Sequence, residues 1–164
     1  MIIMVRADDR LIHGMVAVSW TSSLQPQTIL VANDAVAGDE FKKMTMKMSK
    51  PAGVNLVIKS VADSIKALNN PINDPKKIFL VVETVEDAYK IYTQVKGIKK
   101  LNIGTAGVNK KPGEDYKPTL PQVYTTKEEV AFAEKMANDG VEVFAQITPS
   151  RERMEFSDIL KLFK

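Results

Sequence analysis

Short apolar runs alternate with amphipathic stretches along the whole chain, and few folds accommodate that rhythm. Residues 1–5, 27–32, 54–59, 77–82, 100–103 and 141–146 are brief runs rich in Val, Ile and Leu, bounded by polar or turn residues. Continuous runs of this kind suit strands buried on both faces, as in a parallel sheet. The run 77–82 is the most hydrophobic and is expected near the centre. Between the runs, 15–24, 38–50, 60–68, 84–95, 126–138 and 156–163 read as helices. Three of them open with capping-box signatures, Ser60-Val-Ala-Asp63, Thr84-Val-Glu-Asp87 and Thr126-Lys-Glu-Glu129, which bond the first free amides of a helix. The alternation predicts an α/β fold: a doubly wound, mostly parallel open sheet of about six or seven strands with helices on both faces. At 164 residues it is expected as a single domain, 1–164.

Two stretches need a closer reading. In the helix 38–50, Phe41, Met44 and Met48 recur at three- and four-residue spacing and are expected to face the core, with Met46 off that stripe and exposed. From 109 to 118 the chain is polar, with no strand or helix signal.

Composition closes off several functions. The formal charge of +3 comes from dispersed lysines, without the arginine-aromatic stripe of a nucleic-acid binder. Cysteine is absent, which excludes disulfides and thiolate chemistry. No apolar run approaches spanning length, so any work at a membrane is expected through partners rather than by insertion.

The chemistry concentrates at the first turn, Arg6-Ala-Asp-Asp-Arg-Leu-Ile-His13-Gly. His13, the only histidine, falls where a strand ends and a helix begins. Free amides at a helix start make an anion site. A free imidazole, with a pKa of about 6.5, is largely neutral near pH 7 and can attack phosphorus. Arg10 offers a planar fork for equatorial phosphoryl oxygens, and Arg6 is placed to form a second wall. Gly14 lets backbone approach an anion closely. Asp8 and Asp9 are expected to orient these groups by ion pairing. One histidine beside two adjacent carboxylates does not make a metal ligand set. Sites of open α/β sheets lie beyond the carboxyl ends of the strands, where Asn33-Asp34, Glu83-Thr84 and the loop 104–107 would join His13. That glycine loop has neither a dinucleotide-binding nor a P-loop spacing.

With these residues laid out, the sequence resembles the IIB component of the mannose/fructose/sorbose family of the sugar phosphotransferase system. The match runs from Arg6-x-Asp-Asp-Arg-Leu-Ile-His13-Gly-x-Val16 through Val31-Ala-Asn-Asp34, Pro51-x-Gly53 and Asn102-Ile-Gly104 to Gly140-Val-x-Val143. Met15 departs from it, since the family usually has glutamine after His-Gly. The resemblance implies a cytoplasmic phosphocarrier. A IIA protein would load His13, and the phosphoryl would pass to a sugar imported by the membrane IIC/IID components. Arg10 would stabilise the transferring group, Arg6 and the Gly14 backbone would assist, and Asp9 would orient. No cofactor, nucleotide or metal is implied.

Two other classes fit parts of the pattern. A phospho-aspartate receiver also has an acidic pair after its first strand, but needs an acceptor aspartate after the third, where Lys59-Ser60 stand. A non-catalytic sugar- or phosphate-binding module of the same fold would use the loop without the nucleophile.

Overall fold

The structure, a computed structural model, describes residues 1–108, 110 and 112–164. The chain runs β1 (Ile2–Ala7), α1 (Gly14–Leu24), β2 (Thr28–Ala32), α2 (Asp34–Ala37), α3 (Glu40–Met48), β3 (Asn55–Lys59) and α4 (Val61–Asn69). It continues through β4 (Ile78–Val82), α5 (Val85–Tyr92), β5 (Lys100–Ile103), β6 (Tyr116–Leu120) and β7 (Val123–Thr126). The last elements are α6 (Lys127–Asn138), β8 (Glu142–Ala145), β9 (Met154–Glu155) and α7 (Phe156–Leu162).

Seven strands form one sheet in the order β3-β2-β4-β1-β5-β8-β9, parallel throughout except for β9. Every residue of β4 is buried, and β4 lies between β2 and β1. The strands alternate between two apolar clusters, which is why their runs are continuous rather than every-other-residue. Met4, Ile29, Val31, Phe79 and Val81 point to one face, where α1 lays Ala17 and Trp20. Val5, Leu30, Leu80 and Val82 point to the other, under α5, α6 and α7.

The chain therefore leaves two neighbouring strands in opposite directions: from β1 by α1 on one face, and from β4 by α5 on the other. Beyond their carboxyl ends a crevice opens, the usual ligand position of an open α/β sheet.

Two expectations need correcting. The helix expected over 38–50 is α3, which Asp39 starts by accepting Lys42 N, and an unforeseen short α2, capped by Asn33 accepting Val36 N, precedes it. The apolar stripe of α3 faces outward: Phe41, Met44 and Met48 are 77, 62 and 82% exposed, whereas Met46 packs on the cluster under α1. Finally, β6 takes in the last three residues of the polar stretch, 116–118, and pairs antiparallel with β7, outside the main sheet. Asn109 and Lys111, at the start of that stretch, lie outside the described residues.

Candidate functional site

The loop between β1 and α1 is built on Asp8. Its backbone still belongs to the sheet, since Asp8 N donates to Val82 O at 2.9 Å. Its side chain is fully buried. Oδ2 receives Arg6 Nη2 and Arg10 Nη2, each at 2.9 Å, while Oδ1 receives Arg10 N and Nε, each at 3.0 Å. A carboxylate gripped edge-on by one guanidinium is the bidentate geometry that fixes an arginine in direction as well as position. His13 Nε2 faces the same Oδ2 from 3.7 Å, an electrostatic contact rather than a hydrogen bond. Burial pushes the Asp8 carboxyl up, but the contacts with His13 and Arg10 and the charge of Arg6 outweigh it. The group stays well below the usual carboxylate range.

His13 is the N-cap residue of α1, in extended backbone, with no side-chain bond back to the first turn. Nε2 is buried, and the imidazole as a whole is 31% exposed. The backbone reaches this position through two left-handed residues, Leu11 at φ 60° and Gly14 at φ 40°. Leu11 is a buried side chain held in a conformation that ordinarily favours glycine, a cost that functional loops often carry. A Cβ on Gly14 would meet nothing within 4 Å, so the space over the helix start is open.

Arg6 does not reach that surface. It is 2% exposed, beneath the loop, where Nη1 donates to Asn102 Oδ1 and, at 3.0 Å, to Gln146 O. Its guanidinium carbon lies 5.6 Å from the ring centre of Trp20, whose Nε1 donates to Ile147 O at 2.8 Å. Both terminal nitrogens of this buried guanidinium are paired, by Asp8 after β1, Asn102 of β5 and Gln146 after β8, while Nε has no hydrogen-bond partner. The expected second wall of the phosphate site is therefore a support of Asp8.

The ion pairs to Arg6, Arg10 and His13 are made by Asp8. Asp8 continues the inward pleat of β1, whereas Asp9 sits on the turn and accepts Ala106 N at 2.9 Å. The loop 104–107 is thus part of the site: Gly104 O also accepts Arg10 Nη2 at 3.3 Å. The loop 104–107 was expected at this edge, whereas Asn102 and Gln146 were missed as site supports. The one available signal was Asn102 itself, a polar residue inside an apolar strand and fully buried here.

Fold and site together define an α/β protein that presents one histidine and one forked arginine at the amino end of a helix, over a buried carboxylate. The family model described as PTS system sorbose subfamily IIB component matches residues 2–164, and the chain belongs to that family. It is a phosphotransferase of the sugar phosphotransferase system, on the carrier side rather than among receivers. A probable phosphotransferase enzyme IIB component of Streptococcus pyogenes serotype M6 is 39% identical over 98% of this chain and 99% of its own length. The sorbose-specific EIIB component of Klebsiella pneumoniae is 30% identical over 69% of this chain and 68% of its own. Among solved structures, manxB from Thermoanaerobacter tengcongensis superposes with a TM-score of 0.87 at 26% identity, covering 98% of this chain and 95% of its own. No helix among the described residues is long and apolar enough to cross a membrane.

Proposed function

We propose that His13 carries the phosphoryl group of this IIB component, in a single unit spanning 1–164 that works in the cytoplasm. A IIA protein loads it, and the acceptor is a sugar brought by the IIC/IID membrane partners. The observation that carries this reading is the shared carboxylate: Asp8 holds Arg10 by two bonds and faces Nε2 of His13 from the buried side. Nδ1 is then the nitrogen that receives phosphorus.

In the loading step the bond from phosphorus to the donor histidine breaks as the bond to His13 Nδ1 forms. The proton displaced from His13 returns to the donor imidazole. In the second step the P–N bond breaks and a bond from phosphorus to a sugar oxygen forms, and the hydroxyl proton ends on the imidazole. Arg10 spreads its fork over the equatorial oxygens in both steps, and the open amides after His13 receive the remaining charge. Arg6 and Asp9 act by positioning, through Asp8 and through the loop 104–107. Met15, 74% exposed beside His13, and the apolar stripe of α3 suit contact with protein partners.

The test is intact mass after incubation with phosphoenolpyruvate, enzyme I, HPr and a IIA protein. An acid-labile gain of one phosphoryl group, absent from His13→Gln, supports the reading. A gain retained in His13→Gln overturns it.

A further inference from the structure

Resting on that phosphocarrier reading, we propose that Asn102 is a positioning residue for phosphoryl transfer. It meets the buried Arg6 with an uncharged acceptor. Arg6 and Arg10 then share the single carboxylate of Asp8, and their cluster keeps a surplus positive charge for the phosphoryl group.

Asn102 is the third residue of β5, fully buried between Leu101 and Ile103, and stands in register with Arg6 of β1 and Phe144 of β8. An amide in such a place costs free energy unless both of its ends are bonded. Both are: Oδ1 accepts Arg6 Nη1, and Nδ2 donates to Gln146 O at 3.2 Å. Gln146 O also accepts Arg6 Nη1 at 3.0 Å, which closes a triangle between β1, β5 and the end of β8. The carbonyl of Gln146 fixes the direction of the amide. With Nδ2 committed to it, Oδ1 is the atom left for Arg6.

That direction has an electrostatic consequence. Two of the groups that receive Arg6 Nη1 and Nη2, the Asn102 amide and the Gln146 carbonyl, are neutral, and the third is the Asp8 carboxylate. Asp8 is shared with Arg10 through the same oxygen, at 2.9 Å from each guanidinium. A carboxylate at position 102 would fill nearly the same volume and match the fork of Arg6 more closely. It would also cancel the surplus. A phosphoryl group carries about two negative charges. Close to a buried cluster, where water screens little, one whole charge changes the affinity for such a group. The P–N bonds made and broken are the same in either case. What Asn102 sets is the charge that the phosphoryl group meets on His13.

The experiment is the equilibrium distribution of phosphoryl groups between a loaded IIA protein and the full chain, at about pH 8, where a carboxylate beside a guanidinium is ionised. Urea unfolding is followed alongside. Asn102→Asp is expected to move the distribution toward the donor by about tenfold or more. Asn102→Ser gives up the bond to Gln146 but adds no charge. It is expected to unfold at lower urea and yet to keep the parental distribution within about twofold. Arg6→Gln removes the cation instead of adding an anion, so it should shift the distribution in the same direction as Asn102→Asp. It keeps the proposal open to refutation if the aspartate variant does not fold. A shift below about threefold in Asn102→Asp, or in Arg6→Gln where that stands in for it, overturns the proposal. So does a shift in Asn102→Ser as large as that in Asn102→Asp, because the effect would then follow packing and not charge. Failure of the parent chain to accept phosphoryl would instead strike the carrier reading, whatever the variants do.

Discussion

Gly104 has no side chain where the guanidinium of Arg6 lies: a Cβ there would overlap Nη1, Nη2 and the central carbon, well inside van der Waals contact. The glycine is required by close approach and not by backbone conformation. It lets a buried arginine pass under the first loop to reach Asn102 and Gln146. Gly104→Ala is expected to lower stability by about 2–3 kcal/mol, the cost of overpacking at a site that cannot yield. Urea unfolding checks this. In an Arg6→Met background the same change should cost much less, because the two residues act through one contact.

Arg10 is held by Asp8 and Gly104 O at the edge of the site, and 24% of its side chain remains exposed. Arg10→Lys keeps the charge but loses the fork, so phosphoryl transfer should slow by roughly 10²-fold, the usual effect of removing one transition-state donor. Unfolding free energy should change by no more than about 1 kcal/mol, since the pair is partly solvated. Stopped-flow transfer from a loaded IIA protein checks the first expectation, and thermal melting the second.

Glu129, on the first turn of α6, gives a pH-dependent term. Burial pushes its carboxyl up to about 7 from 4.5; bonds at the Val85 and Thr126 backbone oppose this, and the charges of Glu114 and Asp9 add to it. The folded state then binds more protons than the unfolded state between those two values, so the group's contribution falls as pH rises through that window and stays low above it. Glu129→Gln is expected to be more stable than the parent at about pH 8, by about 1–3 kcal/mol, and equal to it at about pH 4. Chemical unfolding at the two pH values checks the sign.

Sheet and helices were legible in the sequence wherever both faces of a strand are buried, because continuous Val, Ile and Leu runs have one common solution. The turn carrying His13 was legible for a chemical reason: arginines, acids and a histidine cluster at a strand end. The stripe on α3 was not. Spacing shows that Phe41, Met44 and Met48 share a face, but not which face. In the structure Met46 packs inward while the stripe is exposed. The division of labour between Asp8 and Asp9 was also hidden, since it depends on the sheet's backbone bonding continuing for one residue past β1. Arg6 looked like a surface cation because its partners, Asn102 and Gln146, come from strands far along the chain.

The most direct measurement is proton–nitrogen correlation NMR of the His13 imidazole in the phosphorylated protein, read with the phosphorus spectrum. The account predicts one phosphoryl group, bonded to Nδ1, with Nε2 turned toward Asp8. Phosphorus on Nε2, or on any residue other than His13, would contradict it.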